Sequence, residues 1–576
     1  MKRLMTYLKD YRKEAVLAPL FKMLEAFFDL FVPIVVARMI DTGIANADKA
    51  YIIRQAWILA GLAALGLAAS ITAQYFAAKA ATGCASKLRQ AMFDHIQSLS
   101  YTELDTLGTG TLITRLTSDI NQVQNGLNMG LRLLLRSPFI VFGSMIMAFT
   151  INVKAALVFA VAIPVLSLAV YAIMISSIPL FKKVQSGLDR VTTLTRENLS
   201  GVRVIRAFCK EQEEVDSFDR ANDNLTKLNE FVGRISALLN PLTYVLINIA
   251  TVVLISRSAV QVNLGTMSQG DTVAMYNYMA QMIVELIKLA SLSITINKAL
   301  ACADRCADIL DVDSSITYQN EPAKTLAAGS IAFDHVSFKY HLASEESLSD
   351  ISFEASPGST VGIIGGTGSG KSSLVNLIPR FYDADQGTVY VDGVSVKDYD
   401  RMSLINKCGI VPQKAVLFKG TIRENLKWGN EQASDEELWQ ALKLAQAAEV
   451  VENKEGQLDF EIEQGGRNLS GGQRQRLTIA RALVKQPEIL ILDDSASALD
   501  FATDAKLRQA IHSLSATTLI VSQRTSSIMQ CDQILVLDDG KLAGKGTHEK
   551  LMKTCKVYQE IYYSQFPEQK PAEVLA

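Results

Sequence analysis

The segment GGTGSGKSS, residues 365–373, has the residue types and spacing of a loop that wraps phosphate groups. It fits the pattern G-x-x-x-x-G-K-[ST], with the short apolar run STVGIIG leading into it and the amphipathic stretch SLVNLIPRFY at its end. The glycines let backbone N–H groups close around phosphates, and the N-terminus of the following helix adds its positive end. We expect Lys371 to reach the β- and γ-phosphates of a nucleotide and Ser372 to bind Mg²⁺. The predicted phosphate ligands are Gly365, Gly366, Thr367, Gly368, Ser369, Gly370, Lys371, Ser372 and Ser373.

A second short apolar run, ILIL, ends in the aspartates Asp493 and Asp494. A protein with such a phosphate loop needs an acid at the end of a buried strand to hold Mg²⁺ through its water shell. Asp493 is the predicted metal-side acid, and Asp494 stands where a hydrolytic base would be placed.

A third segment with phosphate-binding character is LSGGQRQRLTIARAL, residues 469–483. Ser470, Gly471, Gly472 and Gln473 precede a predicted helix, so their amide groups form another phosphate-sized cradle. One nucleotide does not need two cradles so far apart in the chain. We therefore expect each cradle to serve a different ATP across a dimer of such domains.

The composition places these segments in a chain with an apolar first half. Of the 576 residues, 49% are hydrophobic and 20% are charged, and the apolar excess lies before the phosphate loop. The net charge of -2 gives no reason to expect nucleic-acid binding. Seven cysteines without paired spacing argue against a disulfide framework or a zinc site.

Six stretches of the first half are long and apolar enough to be predicted as membrane spans, since a span takes about 20 residues. They lie near 15–40, 56–78, 129–151, 153–177, 238–262 and 272–297. The connections after the second and fourth spans are long, polar and helix-forming, so helices are expected to continue beyond the bilayer on one side. Basic residues flank the spans on that side and predict that it is the cytoplasm. They are Lys2, Arg3, Lys9, Arg12, Lys13, Lys182 and Lys183.

Charged residues inside the predicted spans mark a possible substrate cavity. Lys22, Glu25 and Asp29 share one helix face, and Glu285 and Lys288 share another. Intramembrane ionisable groups normally face a bundle interior or a wet cavity. Glu25, Asp29 and Glu285 are therefore the cavity candidates, and mutual ion pairing that only holds the bundle together is the alternative.

The placement of LSGGQ between the phosphate loop and the aspartate pair, after six spans, resembles an ATP-binding cassette (ABC) exporter half-transporter. The resemblance implies the type I ABC exporter fold, a membrane α-helical bundle of six transmembrane helices with long cytoplasmic extensions, followed by an α/β P-loop nucleotide-binding domain. The implied domains are 1–315 and 328–576. The implied cofactors are ATP and Mg²⁺, and the implied setting is a lipid bilayer, as a multi-pass protein of a bacterial plasma membrane with a cytoplasmic nucleotide-binding domain.

The same resemblance assigns further residues. It implies that Tyr340 stacks on adenine, and that Gln413 senses Mg²⁺ and faces the membrane half. The stretch 497–500, SALD, resembles the D-loop that crosses the dimer, and QGGR before LSGGQ resembles the exporter X-loop. Segments near 101–110 and 200–212 would be the coupling helices.

Two residues depart from the pattern of active family members. Asp494 stands where the family has glutamate, which sets the carboxylate back by about 1.5 Å, too far for a well-aligned contact. Gln523 stands where the family has a switch histidine, and an amide has no titratable ring. Loss of an effective general base typically costs about 10²–10⁴-fold in rate. Together the changes resemble the degenerate-site subunit of a heterodimeric exporter, whose non-identical partner keeps the glutamate and the histidine.

Two other functions stay open. One is a homodimeric lipid or multidrug exporter with slow turnover, and the other is a non-transporting, ATP-gated membrane regulator. Fold does not determine cargo, so the expected cargo is only a small hydrophobic or amphipathic compound of multidrug-like range. With no peptidase domain ahead of the first span, a leader-cleaving peptide exporter is disfavoured.

Overall fold

The computed structural model describes residues 4–319, 329–341, 343–495 and 498–569. The chain divides into two compact units. The first, here called the helical unit, comprises Met1–Gln97 and Gly110–Val312, and the second, the α/β unit, comprises Ser98–Thr109 and Asp313–Ala576. Residues 98–109 group with the α/β unit, where their aromatic and polar side chains pack.

Long helices make up the helical unit. In chain order the helices up to residue 310 are α1 (Arg12–Arg38), α2 (Lys49–Ser98), α3 (Tyr101–Leu107), α4 (Thr109–Thr114), α5 (Ile120–Leu133), α6 (Arg136–Ile151), α7 (Val153–Ala207), α8 (Glu211–Ala237), α9 (Leu239–Asn263) and α10 (Gln269–Leu310). The 50 residues of α2 and the 55 of α7 extend well beyond the length that crosses a bilayer. The segment near 200–212 contains the end of α7, a turn and the start of α8.

Five helical segments among the described residues are long and apolar enough to cross a membrane. They are Lys49–Ser98, Thr109–Ile151, Val153–Ile173, Pro241–Asn263 and Gln269–Leu310. The first predicted span forms the continuous helix α1, but Lys22, Glu25 and Asp29 make it too highly charged to be counted with these five. That α1 crosses the membrane stays a prediction.

Polar contacts fix α1 against α10. The buried Tyr278 hydroxyl donates to the carbonyl of Leu30 at 2.5 Å. Just after α1, Asp41 accepts from the Ser268 hydroxyl at 2.5 Å and from the Gly270 amide at 2.7 Å. Asp41 thereby satisfies an amide at the start of α10 that has no partner within its own helix. These contacts hold the charged face of α1 next to α10.

The described residues of the α/β unit form three sheets. Its strands are β1 (Ile331–Phe338), β2 (Leu348–Ala355), β3 (Thr360–Gly365), β4 (Gln386–Val391), β5 (Val394–Ser395), β6 (Cys408–Val411), β7 (Gly420–Thr421), β8 (Glu461–Ile462), β9 (Ile489–Asp493), β10 (Thr517–Val521), β11 (Gln533–Asp538) and β12 (Lys541–Gly546). The strand orders are β2-β1-β4-β5, β12-β11-β3-β10-β9-β6 and β7-β8.

Helices cover the six-stranded sheet and complete its core. They are α11 (Lys371–Leu377), α12 (Arg401–Lys407), α13 (Ile422–Lys427), α14 (Asp435–Leu444), α15 (Ala448–Glu452), α16 (Gly471–Val484), α17 (Phe501–His512), α18 (His548–Thr554) and α19 (Lys556–Gln565). One apolar core joins α11 and the β1-β2-β4 strands to the sheet, and the other contains α14, α16 and α19. The five residues of β9 are all buried, as expected for a central strand with both faces covered.

Candidate functional site

Four parallel strands bring the predicted site residues to one edge of the six-stranded sheet. β3, β10, β9 and β6 are neighbours in that order and run parallel. The carboxyl ends of neighbouring parallel strands lie at the same edge, where ligands bind in such sheets. This arrangement places the loop after β3, Gln523 after β10, Asp493 and Asp494 at the end of β9, and Gln413 after β6 along one edge.

The loop after β3 has the backbone shape that phosphates require. Gly368 and Gly370 have φ of 84° and 91°, a region that favours glycine. A Cβ on Gly370 would come within 2.4 Å of the Ser347 carbonyl oxygen. At Gly366 and Gly368, by contrast, a Cβ would find no atom within 4 Å, so this side of the loop is open. An open glycine-rich loop leading into α11 fits a nucleotide phosphate chain.

Lys371 is folded back over this loop. Its Nζ donates to the carbonyls of Gly365 at 3.0 Å and Gly366 at 2.5 Å. Burial lowers the pKa of Lys371, and the nearby Asp494 and Asp493 carboxylates oppose that effect. A buried ammonium held by two carbonyls and by the Ser369 hydroxyl at 3.4 Å is well placed to exchange those contacts for phosphate oxygens.

Ser372 and Asp493 form the candidate Mg²⁺ position. The Ser372 hydroxyl donates to Asp493 Oδ1 at 3.0 Å, and Asp493 is 8% exposed. Burial raises the pKa of Asp493, and the Ser372 hydrogen bond partly offsets this. Mg²⁺ prefers one or two oxygen ligands from the protein together with water and phosphate oxygens. A hydroxyl and a carboxylate in contact beside the phosphate loop fit that preference.

Asp494 has a distinct backbone and a distinct environment. Its φ of 47° lies in the left-handed region, where aspartate is more common than most residues. Its amide donates to the Val521 carbonyl at 3.0 Å. Burial raises the pKa of Asp494, while a hydrogen bond with Gln413 and the charges of Lys371 and Arg524 lower it. The side chains of Gln413 and Asp494 are therefore brought together, although 81 residues of sequence separate them.

Gln523 lies at the same edge with an exposed side chain. Its backbone carbonyl accepts from Gln565 Nε2 at 2.7 Å. The next residue, Arg524, lies over the Phe501 ring at 4.9 Å and donates its amide to the Ser522 hydroxyl at 3.0 Å. These contacts fix the backbone at Gln523 and at Arg524. The neutral amide of Gln523 stands where the family resemblance implies a switch histidine.

Tyr340 is attached to the phosphate loop. Its hydroxyl lies 3.0 Å from the Ser373 hydroxyl, and its ring meets Phe338 and Tyr382 edge-on. It lines a cavity of about 310 Å³ together with His341, Tyr382 and Asp105. An aromatic ring that borders a cavity beside the phosphate loop is placed to stack on a base.

The helix α3, which belongs to a predicted coupling segment, contacts the residues beside this cavity. The Tyr382 hydroxyl donates to Asp105 Oδ2 at 2.6 Å, and the rings of Tyr101 and Phe381 are 4.5 Å apart. Burial raises the pKa of Tyr382, and the Asp105 hydrogen bond raises it further, so the phenol stays protonated and donates. These contacts are the physical reason that residues 98–109 belong to the α/β unit.

The LSGGQ segment forms a capped helix start. Ser470 precedes α16 and accepts from the Gln473 amide at 3.3 Å, while Gln473 Oε1 accepts from the Ser470 amide at 3.0 Å. A Cβ on Gly472 would come within 3.0 Å of the Ala498 carbonyl oxygen, which explains the glycine. Ser470 and Gly471 are exposed, so this cradle faces solvent in the single chain.

The predicted D-loop and X-loop are the remaining loops of the site. Ser497, the first residue of the predicted D-loop, lies outside the described residues. Asp500 at its end caps α17 by accepting from the Thr503 amide at 2.9 Å. In the predicted X-loop, Gly465 and Gly466 have φ of 72° and 68°, so both glycines are required by the turn.

In the helical unit, the three acids predicted to line a cavity meet at Arg136. Arg136 lies 2.5 Å from Glu285, 3.1 Å from Asp29 and 3.7 Å from Glu25. Lys22 pairs with Glu25 at 2.5 Å and Lys288 with Glu285 at 2.9 Å. The acids therefore form an ion-pair network, and Glu25 also lines a polar cavity of about 500 Å³.

Arg136 and Arg132 were absent from the candidate residues derived from the sequence. Both stand in LRLLLRSPF, within the third predicted span, where a charged residue is costly and calls for a partner. The sequence signal for these residues was the presence of two arginines in an apolar run, because the acids of the first and sixth predicted spans needed positively charged partners.

Family models and similar proteins agree with this architecture. Residues 16–286 match the family model described as ABC transporter transmembrane region, and residues 348–497 match the family model described as ABC transporter. The uncharacterized ABC transporter ATP-binding protein YfiB of Bacillus subtilis is 37% identical over 98% of this chain and 99% of its own length. An ATP-dependent lipid A-core flippase of Vibrio vulnificus is 28% identical over 98% of both chains.

A solved structure extends the likeness to the fold. The structure of a bacterial Atm1-family ABC exporter with ATP bound superposes with a TM-score of 0.80 at 25% identity, covering 97% of this chain and 99% of that one. The helices and the α/β unit thus correspond over nearly the whole length. This chain belongs to the ABC transporter family and has the type I exporter fold, with a helical transmembrane region and an ATP-binding domain that couples ATP hydrolysis to transport.

Proposed function

We propose that this chain is the degenerate-site subunit of a heterodimeric exporter, which moves a small hydrophobic or amphipathic compound across a bacterial plasma membrane. The pair of residues Asp494 and Gln523 carries the proposal. Asp494 and Gln523 follow neighbouring parallel strands at the sheet edge that carries the phosphate loop, and Asp494 is hydrogen-bonded to Gln413. Both depart from the residues that the family uses for hydrolysis. The residues that would hold ATP and Mg²⁺ are all of the expected types.

The two cradles have different roles in this proposal. Lys371, the glycine-rich loop and Tyr340 hold one ATP, with Ser372 and Asp493 as the Mg²⁺ side and Gln413 beside them. Mg²⁺, when bound, would neutralise part of the negative charge of the phosphates. Ser470, Gly471, Gly472 and Gln473, of which the first two are exposed, complete the site on the partner, which carries its own glutamate and histidine. Closure of the two domains would turn the cargo cavity outward.

The first test compares the chain alone with its pair. Purified alone, the chain should hydrolyse ATP about 10²–10⁴-fold more slowly than the co-purified heterodimer, because no complete general base is present. Phosphate release at saturating Mg·ATP measures this, and binding of a fluorescent ATP analogue checks that the isolated chain still holds nucleotide. Fast hydrolysis by the chain alone would contradict the proposal.

A second prediction concerns the contact between Asp105 and Tyr382. Asp105→Ala removes the acceptor at 2.6 Å and should lower ATP-driven transport by the pair about fivefold, since one hydrogen bond contributes about 1 kcal/mol. ATP binding is measured in parallel, because Asp105 also lines the cavity beside Tyr340. Asp105→Asn keeps an acceptor oxygen and serves as the control. Equal flux by wild type and Asp105→Ala in sealed vesicles would show that this contact does not couple ATP to transport.

A homodimeric lipid or multidrug exporter with slow turnover is the second candidate, favoured by the likeness to a lipid A-core flippase over 98% of the chain. In that case Asp494→Glu with Gln523→His should raise the ATPase rate of the chain purified alone. A non-transporting ATP-gated regulator would instead give no ATP-dependent cargo movement in vesicles that contain the pair.

A further inference from the structure

The polar cavity of the helical unit has an uneven charge balance. It occupies about 500 Å³ between α1, α2, α5, α6 and α10. The charged residues that line it are Lys22, Glu25, Arg132, Arg136 and Lys288. Four of these five are cations, which is unusual for a cavity among helices predicted to lie in a membrane.

Among the described residues around the cavity, each of the three acids forms an ion pair, but one of the four cations does not. Glu25 pairs with Lys22 and Arg136, Asp29 pairs with Arg136, and Glu285 pairs with Arg136 and Lys288. Four cations therefore face three carboxylates, which leaves one positive charge.

Arg132 is the cation left over. Among the described residues it forms no ion pair, and its Nε is buried without a hydrogen-bond partner. The Nε of Arg136 is also buried without a partner. A buried guanidinium N–H without an acceptor costs free energy, which an anionic ligand would recover through charge-assisted hydrogen bonds.

The rest of the lining is divided between apolar and polar groups. Met129, Leu133 and Leu292 provide apolar contact, and Ser70, Gln74 and Ser291 provide neutral polar groups. Met129 and Leu133 stand one turn apart on the helix α5 that carries Arg132. An occupant with an apolar body and an acidic group would match both parts of this surface.

We propose that the polar cavity binds the anionic group of an amphipathic cargo, a carboxylate or phosphate, with Arg132 as its main contact. The inference rests on the proposed export function and narrows its substrate class from hydrophobic or amphipathic compounds in general to amphipathic anions. A lipid headgroup and a free acidic amphiphile share this chemistry.

Binding to the full-length chain tests the proposal without ATP and without a partner. The probes are dansyl-labelled undecanoic acid and its methyl ester, which differ by the charge and one methyl group, and each is titrated onto the protein in a neutral maltoside detergent. The acid should bind at least about tenfold more tightly than the ester, the effect expected of a hydrogen bond to a charged group. Equal affinity for acid and ester would overturn the proposal, whatever any variant does.

Variants locate the site. Arg132→Gln should lose most of the preference for the acid, whereas Arg132→Lys should keep it. Arg257→Gln is the matched control, because Arg257 lines a separate, largely apolar groove of α7 and α9. If Arg257→Gln removes the preference and Arg132→Gln does not, the anion binds elsewhere and the proposal fails. If Arg132→Gln keeps the wild-type preference for the acid, Arg132 does not contact the anion and the proposal fails.

Competition distinguishes the two sources of the anion. Phosphatidylglycerol in mixed micelles represents a lipid headgroup and octyl phosphate a free amphiphile. Displacement of the probe by one of them supports the proposal and identifies the source, and displacement by neither contradicts it. Since no step uses ATP, these results stand apart from the ATPase tests. The ATPase and flux tests can support export of a neutral cargo while the binding test fails, and the binding test can succeed while the export tests fail.

Discussion

Asp494→Glu combined with Gln523→His should restore ATP hydrolysis to a heterodimer whose partner has lost its own catalytic glutamate. The expected gain is about 10²–10⁴-fold, the usual contribution of a positioned general base. Glutamate adds one methylene and moves the carboxylate outward by about 1.5 Å from a backbone that β9 and β10 hold in place. Histidine at 523 adds a ring that can carry a proton at the phosphate edge.

The measurement is phosphate release by the pair, with the partner's glutamate changed to glutamine throughout. Asp494→Asn is the matched control, because it keeps the size of aspartate and removes any basicity. The left-handed φ of 47° at this position costs a longer side chain about 1 kcal/mol, a small loss against the expected gain. No gain in a double variant that is folded and binds ATP would show that the defect of this site lies elsewhere.

Gly471→Asp should reduce the ATPase activity of the heterodimer by about 10²-fold or more, whereas Lys371→Ala should reduce it by less than about tenfold. In the proposed arrangement Gly471 faces the ATP that is hydrolysed and Lys371 faces the ATP that is only held. A carboxylate in the cradle at the start of α16 would repel the phosphates. The substitution itself is compatible with the fold, since the nearest atom to a Cβ there is 3.9 Å away and an acid in a first helical turn is favourable.

Gly471→Asn has nearly the same size without the charge and is the control for this comparison. Steady-state ATPase rates and nucleotide occupancy of the two sites are the measurements. Equal losses from Gly471→Asp and Lys371→Ala would indicate two equivalent sites and would contradict the asymmetric assignment.

The phosphate loop is the part of the site that was predicted most completely from sequence. The spacing of its glycines, Lys371 and Ser372 is local, and the strand before it and the helix after it follow directly in the chain. The cap of α16 by Ser470 and Gln473 is local in the same way, because the residues concerned are three positions apart. Short-range hydrogen bonds and backbone preferences are enough to specify both features.

The assembly of the edge required the tertiary structure. Gln413, Asp494 and Gln523 lie at the same edge because β3, β10, β9 and β6 are neighbours in an order that differs from their order in the chain. No periodicity in the sequence encodes that order, since it results from packing of the helices on both faces of the sheet. The resemblance to a family, and not the residue pattern, was what assigned Gln413 beforehand.

The sequence by itself determined the class of the protein: an apolar half of long helices, an ATP-binding half, and two residues, Asp494 and Gln523, that depart from the family pattern. Only the tertiary structure decided which charges neutralise one another in the helical unit. Glu25, Asp29 and Glu285 come from α1 and α10, far apart in the chain, yet all three pair with Arg136 at the start of α6. Ion pairing acts over a few ångströms in space and is independent of separation along the chain. For that reason the lack of an ion-pair partner for Arg132 among the described residues, and the anionic cargo that we propose from it, became apparent only in the folded structure.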